Sequence, residues 1–255
     1  MRVQIVIPAR LASTRLPEKL LLNVGGKSVL QHTYEAASRS QVAAGVIVAV
    51  DDPRLAHEVD SFGGQVRLTS PTCQSGTDRV AEVAAELTDT EIFVNVQGDE
   101  PEIDPAAIDR VAQALIDHPE ADMATVARPI RDPELLLNPN CVKVVLGDGG
   151  RAIYFSRAAV PFAREGITPA RLQADPPLYW HHLGLYAYRR EFLLWFAAQP
   201  VAPLEEVEKL EQLRAIQAGK QIVVAPVDSA AAGIDTLEDF QAFSARWEQH
   251  ADRRI

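Results

Sequence analysis

The positions of apolar residues predict alternating strands and helices over the first 120 residues. Short β-branched or apolar runs, typical of buried strands in a parallel sheet, occupy residues 3–7, 45–50, 66–69 and 92–96. Apolar and small residues at helical spacing occupy residues 29–40, 54–62, 78–87 and 105–116, and Ser28 is a candidate cap of the first of these helices. This alternation predicts βαβ units, and therefore a parallel sheet wrapped by helices.

The second half of the chain has a less regular pattern. Its predicted strands are residues 123–130, 142–146, 152–156, 183–188 and 222–227. Its predicted helices are residues 191–198, 204–218 and 236–249, with Gly219 ending the second. The proline-containing stretch 164–179 is predicted to be a loop. Because no linker interrupts the chain, we predict one α/β domain over 1–255. Its central sheet is expected to be mostly parallel, with a mixed-strand elaboration in the second half.

Composition narrows the possible functions. The chain has 255 residues, 47% of them hydrophobic, and a formal net charge of −10. This acidity argues against non-specific binding to nucleic acid or to anionic membranes, which both need broad positive potential. Two cysteines, Cys73 and Cys141, are too few for a disulfide scaffold or a four-cysteine zinc site, so we expect free thiols. We find no signal peptide and no apolar run long enough to span a membrane, so we expect a cytoplasmic protein.

A basic loop follows the first predicted strand. It carries Arg10, Arg15 and Lys19. Ligands of open α/β sheets bind at the carboxyl ends of strands, and arginine and lysine bind phosphate or carboxylate groups. The loop is therefore either a solvated basic segment or an anion site. It matches neither of the glycine-rich phosphate-binding motifs.

Polar residues follow other strands as well. Gln97 and Asp99 follow the strand at 92–96, and Asp235 precedes the last helix. Carboxylates of this kind suit Mg²⁺, although Asp99 is equally explained as a turn residue. Thr236 and Asp239 resemble a capping box, with Asp235 just outside it. The stretch 74–79 enters a helix, so it is either a phosphate or base contact or simply a helix cap.

The opening PARLASTRLPEK closely resembles that of bacterial 3-deoxy-manno-octulosonate (Kdo) cytidylyltransferases, the CMP-Kdo synthetases. Further blocks follow in the same order through most of the chain: QSGTDRVAE, NVQGDEP, NPNCVKVV, YFSRAAVP, HLGLYAYR, PLEEVEKLEQLR and GIDTLEDF. The resemblance implies a Rossmann-like fold of the nucleotide-diphospho-sugar transferase type. It also implies a Mg²⁺-dependent reaction of CTP with Kdo that yields CMP-Kdo and pyrophosphate for lipopolysaccharide synthesis. We accordingly expect a nucleotide-binding half at 1–120, a sugar-binding and dimerisation half at 121–255, and a homodimer.

The resemblance also implies roles for individual residues. The expected catalytic residues are Lys19, Asp99 and Asp235, of which Asp99 and Asp235 would bind Mg²⁺. The expected nucleotide contacts are Ala9, Arg10, Lys19, Ser75, Arg79 and Gln97. The expected Kdo contacts are Arg15, Gln97, Arg157, His182, Glu208 and Glu211, with Glu205 a weaker candidate.

The sequence departs from the family pattern at four positions. Glu18 and Leu20 stand where the family commonly has Gly and Pro, and Cys73 and His181 replace other usual residues. These changes leave open whether the substrate is Kdo or an amino analogue. A cytidylyltransferase for another sugar acid, such as sialic acid, is the alternative within the same class. A non-catalytic nucleotide-sugar-binding protein is the alternative outside it. A metal-dependent glycosyltransferase has little support, because no DxD motif follows the fourth strand.

Overall fold

The computed structural model describes residues 1–13, 15–228 and 232–252. The strands are β1 (Val3–Ala9), β2 (Asn23–Val24), β3 (Lys27–Ser28), β4 (Val46–Val50), β5 (Gln65–Leu68), β6 (Ile92–Asn95), β7 (Met123–Pro129), β8 (Lys143–Leu146), β9 (Ala152–Ser156), β10 (Trp180–Arg189) and β11 (Ile222–Pro226). The helices are α1 (Val29–Ala37), α2 (Pro53–Ser61), α3 (Gly76–Glu86), α4 (Pro105–Asp117), α5 (Pro133–Leu137), α6 (Pro169–Leu172), α7 (Arg190–Ala197), α8 (Pro203–Glu208), α9 (Leu213–Gln217) and α10 (Leu237–Asp252). Short 3₁₀ turns occur at Lys19–Leu21 and Asp148–Gly150.

The chain divides into two compact units. The first comprises Met1–Asp109 together with Ala231–Ile255, and the second comprises Arg110–Ala230. The first unit is therefore discontinuous in sequence. The expectation of a single domain with halves meeting near residue 120 stays a prediction.

The first unit contains four parallel strands in the order β5, β4, β1, β6. Every residue of β1 is buried, because the strand is paired on both sides and consists almost entirely of apolar residues. Parallel strands end at the same edge of their sheet. The segments after β1, β4, β5 and β6 therefore emerge together, as the βαβ pattern predicts.

Capping side chains fix where the helices of the first unit begin. The Ser28 hydroxyl accepts the Gln31 backbone N–H at 3.1 Å, which confirms Ser28 as the cap of α1. Asp52 caps α2 in the same way. At the start of α3, Ser75 and Asp78 form a reciprocal capping box. Each cap therefore fixes the residue at which the chain leaves the preceding strand or loop and enters the helix.

The second unit contains the mixed strands. Strand β11 is parallel to β7, whereas β7 and β10, β10 and β8, and β8 and β9 are antiparallel pairs. The pairing of β10 with β7 shifts between Leu183 and Tyr186. The Thr125 hydroxyl lies 3.1 Å from the Leu183 carbonyl and 2.8 Å from the Leu185 carbonyl, at the irregularity. Such a bulge changes the direction of the neighbouring side chains.

The prediction of one helix at 204–218 is wrong. The structure has α8 and α9 instead, separated by Lys209 in the left-handed conformation with φ 53°. The Arg157 side chain donates to the carbonyls of Glu208, at 2.7 Å, and Lys209, at 3.3 Å. These carbonyls therefore accept hydrogen bonds from Arg157 instead of from the backbone of a further helical turn. Gly219, with φ 73°, follows the second helix as predicted.

The stretch 164–179 is only partly irregular, because it includes the short helix α6. Leu172 and Tyr179 from this stretch pack in a buried cluster with Ile130, Leu136 and Cys141. The prediction of a pure loop missed this helix because it is a single turn. Cys73 and Cys141 are both free, as expected. No helix in the described part of the chain combines the length and the apolar character that a membrane span requires.

Candidate active site

A cavity of about 320 Å³ lies at the carboxyl edge of the parallel strands of the first unit. It is lined by most of the residues that the sequence singled out in that unit: Arg10, Arg15, Lys19, Ser75, Arg79, Gln97, Asp99 and Asp235. Its volume is in the range of small-molecule sites. The cavity is therefore the candidate active site.

Two glycines allow the segments around the cavity to approach one another. A side chain at Gly98 would place its Cβ atom 3.2 Å from the Pro8 carbonyl oxygen. At Gly76 the same atom would lie 3.1 Å from the Pro8 ring. Both contacts are tighter than ordinary packing, so a side chain at either position would require Pro8 to shift by a few tenths of an ångström.

Two carboxylates converge on one ammonium group in this cavity. The Lys19 Nζ atom donates to Asp99 and, at 2.8 Å, to Asp235 Oδ1. The other Asp235 oxygen lies 2.8 Å from the Arg15 guanidinium. Partial burial acts to lower the Lys19 pKa, but the hydrogen bonds to Asp235 and Asp99 outweigh it and raise that pKa above its ordinary value. Lys19 is therefore a fully charged ammonium held between the two aspartates.

Backbone hydrogen bonds place Asp235 in this arrangement. The Ile234 N–H donates to the Asp99 carbonyl at 2.9 Å, which joins the two aspartate segments directly. The Asp235 N–H donates to the Asp239 carboxylate at 3.0 Å, while Thr236 and Asp239 form the capping interaction that the sequence indicated. Thr236 is thus the cap of α10 and Asp239 its capping-box partner, which leaves the Asp235 carboxylate available to the cavity.

The residues present fit a Mg²⁺ ion. Asp99 and Asp235 already hold oxygen atoms against the same cation, the Lys19 ammonium. Within residues 1–13, 15–228 and 232–252, no cluster of three or more His, Cys, Asp or Glu side chains forms a complete metal centre. Mg²⁺ needs no such cluster, since it commonly takes one or two carboxylates together with substrate phosphates and water.

Glu100, which the sequence analysis did not single out, lies beside Asp99. Burial and the neighbouring Asp99 charge raise the pKa of the Glu100 carboxyl to about 8. Its position directly after Asp99 at the end of β6 was the only available signal. A carboxyl that is protonated at neutral pH adds no negative charge next to the Asp99 and Asp235 pair.

The remaining expected nucleotide contacts have different surroundings. Ser75 lines the cavity, but its hydroxyl accepts the Asp78 N–H at 3.1 Å as a helix cap. The Gln97 amide donates to Asn95 at 3.3 Å. The Ala9 side chain is buried at the end of β1, and neighbouring Arg10 lines the cavity. Ser75 is therefore both a cap and a wall of the cavity.

Arg79 is almost completely buried, and its guanidinium binds protein groups. It donates to Asp51 at 3.0 Å, to the Thr69 hydroxyl at 2.8 Å and to the Ser70 carbonyl at 3.3 Å. Sequence reasoning missed Asp51. The available signal was its position directly after β4, at the carboxyl end of a parallel strand.

The other expected sugar contacts lie in the second unit. Arg157 and Glu208 meet there: the Arg157 N–H donates to the Glu208 carboxylate at 2.9 Å, and the Ser156 hydroxyl donates to it at 2.7 Å. The Arg157 guanidinium also donates to the Pro139 carbonyl at 3.1 Å. Glu211 lies 3.7 Å from the Arg214 guanidinium. The structure thus joins Arg157 and Glu208 through direct contacts.

His182 is buried on β10 and contacts Phe155 and Thr125. Its ring centroid lies 4.9 Å from that of Phe155, and its Nε2 atom lies 3.0 Å from the Thr125 hydroxyl. Burial, assisted by the neighbouring His181, lowers the pKa of His182 to about 3. His182 is therefore neutral at physiological pH and suited to a neutral hydrogen bond.

Comparisons with known proteins identify the family of the chain. Residues 4–222 match a family model described as cytidylyltransferase. A 3-deoxy-manno-octulosonate cytidylyltransferase of Rhodopirellula baltica is 71% identical over 248 residues, which cover 97% of this chain and 99% of the relative. A protein of the same name from Solibacter usitatus is 47% identical over 94% of this chain and 92% of its own length.

Solved structures extend the agreement to the fold. A CMP:2-keto-3-deoxy-manno-octonic acid synthetase complexed with CTP matches with TM-score 0.90 and 38% identity, over 98% of this chain and 100% of that chain. A 4-diphosphocytidyl-2C-methyl-D-erythritol synthase from Anaerococcus prevotii shares the fold alone, with TM-score 0.62 and 14% identity over 97% of this chain and 98% of that chain. The predicted α/β fold, with its mostly parallel central sheet and mixed-strand elaboration, is confirmed.

Proposed function

Because this chain belongs to the 3-deoxy-manno-octulosonate cytidylyltransferase family, we propose that it transfers the cytidylyl group of CTP to Kdo. The products are CMP-Kdo and pyrophosphate, and CMP-Kdo is the activated sugar for lipopolysaccharide synthesis. The observation that carries the proposal is the convergence of Lys19 with Asp99 and Asp235 in a cavity that Arg10 and Arg15 also line.

The chemistry required is the attack of the anomeric hydroxyl of Kdo on the α-phosphorus of CTP. A bond from that oxygen to phosphorus forms, the bond to the pyrophosphate oxygen breaks, and the hydroxyl proton is lost. Reactions of this type depend chiefly on positioning the reactants and neutralising charge. Arg10 and Lys19 supply positive charge for the triphosphate, and their placement in one cavity supports this role.

Asp99 and Asp235 are the residues that would hold Mg²⁺. When bound, Mg²⁺ supplies charge neutralisation at the phosphates and favours loss of the hydroxyl proton. Lys19 contacts both aspartates, so it is placed to exchange these contacts for a phosphate when the nucleotide arrives. We assign no separate protein group as general base.

The assignment of the sugar-acid contacts to Arg15, Gln97, Arg157, His182, Glu208 and Glu211 is part of the same proposal. A carboxylate and several hydroxyls need cations together with hydrogen-bond acceptors, and this set contains both. We propose that Ala9, Ser75 and Arg79 also serve nucleotide binding, either by contacting the nucleotide or by positioning the groups that do. A cytoplasmic homodimer is proposed on the family resemblance, and sedimentation analysis of the purified protein tests the dimer.

The decisive experiment measures pyrophosphate release from CTP with Kdo, with an amino analogue of Kdo and with sialic acid. We expect release with Kdo in the presence of Mg²⁺ and none after chelation by EDTA. Release with sialic acid alone would replace the proposal with another sugar-acid cytidylyltransferase. CTP binding without release for any sugar acid would favour a non-catalytic binding protein.

A further inference from the structure

A buried ion pair joins the end of β4 to α3 in the first unit. The Arg79 guanidinium lies 3.0 Å from an Asp51 carboxylate oxygen, and the two side chains are 5% and 18% exposed. Charges removed from water to this extent are costly unless they are paired and hydrogen-bonded. The pair is therefore a specific feature of the fold rather than a solvated surface contact.

The same two side chains also bind the loops on either side. The second Asp51 oxygen accepts the Leu11 N–H at 3.0 Å, in the loop that carries Arg10. Arg79 donates to the Thr69 hydroxyl at 2.8 Å and to the Ser70 carbonyl at 3.3 Å, directly after β5. The ends of three adjacent strands, β1, β4 and β5, are thereby joined through one ion pair.

This arrangement bears on the nucleotide site because Leu11 is adjacent to Arg10. Arg10 lines the cavity and is one of the cations proposed for the triphosphate. A hydrogen bond that holds the Leu11 N–H fixes the backbone from which Arg10 projects. Arg79 also reaches the cavity wall, but its guanidinium donates to Asp51, Thr69 and Ser70.

We propose that Asp51 is a positioning residue for CTP, and that Arg79 acts through its pair with Asp51 rather than as a direct ligand of the nucleotide. This inference rests on the proposed function and deepens it. The pair holds the loop after β1 against the loop after β5, so that the cations of the first loop are in place before the nucleotide binds. Such preorganisation strengthens binding because less order must be created when the ligand arrives.

The test compares Asp51→Asn with Asp52→Asn. Asp52 is the next residue and caps α2, a role in which asparagine is as effective as aspartate. The control therefore makes the same change of charge without touching the ion pair. The dissociation constant for CTP is measured by titration calorimetry without Kdo, and kinetics then separate KM for CTP from KM for Kdo and from kcat.

We expect Asp51→Asn to weaken CTP binding by about tenfold or more, the scale of a lost charged hydrogen bond, with KM for Kdo nearly unchanged. Asp51→Glu should recover part of the affinity, and Asp52→Asn should match the wild type. An unchanged dissociation constant for CTP in Asp51→Asn would overturn the proposal. So would equal losses in both aspartate variants, or a fall only in the number of binding sites, with the folded molecules keeping the wild-type dissociation constant.

A double variant separates positioning from direct contact. Asp51→Asn combined with Arg79→Met removes both charges, so it leaves no unpaired buried ion even if a single variant fails to fold. If Arg79 acts only through Asp51, the double variant should bind CTP about as weakly as a single variant. Additive losses would show that Arg79 acts independently of Asp51, and would overturn the proposal. Turnover of the wild-type protein with CTP and Kdo tests the proposed function separately, because the variants are compared only by their dissociation constants for CTP.

Discussion

The Lys19 Nζ atom lies 2.8 Å from Asp235 Oδ1, although 216 residues separate them in the sequence. The same nitrogen donates to Asp99, so one ammonium group takes the position where two carboxylates converge. A divalent cation bound between these carboxylates would compete with Lys19 for them. The proposed cation binding would therefore be coupled to the movement of a lysine that is itself proposed to bind phosphate.

We expect Lys19→Met to have opposite effects on metal binding and on turnover. Without nucleotide, the two carboxylates lose their internal cation, so Mg²⁺ binding should tighten in a calorimetric titration. Turnover should fall by about 10² or more, because a charged donor to the triphosphate is lost. Lys27→Met removes an exposed lysine paired with Glu35 and should change neither quantity. Weaker Mg²⁺ binding in Lys19→Met would contradict the competition.

Asp99→Asn and Asp235→Asn keep the shape of each side chain while removing its charge. Each should lower pyrophosphate release by about 10² or more and raise the Mg²⁺ concentration needed for half-maximal rate. The measurement is the rate at a series of Mg²⁺ concentrations. Glu238→Gln, an exposed change at the start of α10, serves as the control. Full activity in either aspartate variant would remove that residue from the metal site.

The buried pair of Glu205 and Arg214 predicts a loss of stability rather than of substrate binding. Two hydrogen bonds of 2.6 and 2.8 Å join them, and the guanidinium lies 4.5 Å from the centre of the Phe196 ring. Glu205→Ala leaves a buried guanidinium without its main partner and should lower the free energy of unfolding by about 3–5 kcal/mol. Urea denaturation measures this quantity, and exposed Glu206→Ala should change it by less than about 0.5 kcal/mol. Similar losses of unfolding free energy in Glu205→Ala and Glu206→Ala would contradict a stabilising role for the pair of Glu205 and Arg214.

Two adjacent histidines predict a loss of stability in acid. Burial lowers the pKa of His182 to about 3, and burial with the nearby Arg128 charge lowers that of His181 to about 4. Below the ordinary histidine value of 6.5, the unfolded chain binds protons that the native state excludes, so stability is complete above that pH and declines as pH falls. His182 contributes a slope of about 1.4 kcal/mol per pH unit between about pH 5.5 and pH 4, whereas the contribution of His181 falls to about half of that by pH 4.

His182→Gln should therefore reduce the slope of the unfolding free energy against pH by about 1.4 kcal/mol per pH unit in this interval, which corresponds to one proton. Urea denaturation at several pH values provides the measurement. His57→Gln, at an exposed position on α2, should leave the slope unchanged. An identical slope in wild type and His182→Gln would mean that His182 is protonated within the native protein.

Much of the first unit was predictable because its signals are local. The predicted bounds of β1, β4, β5 and β6 lie within two residues of the observed ones, and Ser28 caps α1 as its position indicated. The basic loop and Asp99 could be assigned to one edge because parallel strands end together. What pattern alone could not show was the meeting of Asp99 and Asp235, which depends on a long-range contact through Ile234.

Features governed by tertiary contacts escaped the sequence analysis. The break at Lys209 depends on hydrogen bonds from Arg157, some fifty residues earlier, and no helical periodicity records that contact. The one-turn helix α6 is too short to have a recognisable period. The sequence pattern marks Asp51 only as the residue that follows a strand, because its partner Arg79 lies on a helix distant in sequence.

The discontinuity of the first unit has a consequence for the order in which the site forms during synthesis. Residues 1–109 supply Lys19 and Asp99, but Asp235 belongs to the segment that returns after the whole second unit has been made. A ribosome-bound chain that has emerged only as far as residue 228 therefore has one of the two carboxylates that face Lys19. The paired arrangement becomes available only when the last segment joins, so the cation binding proposed for the two aspartates would arise late in translation rather than with the first folded strands.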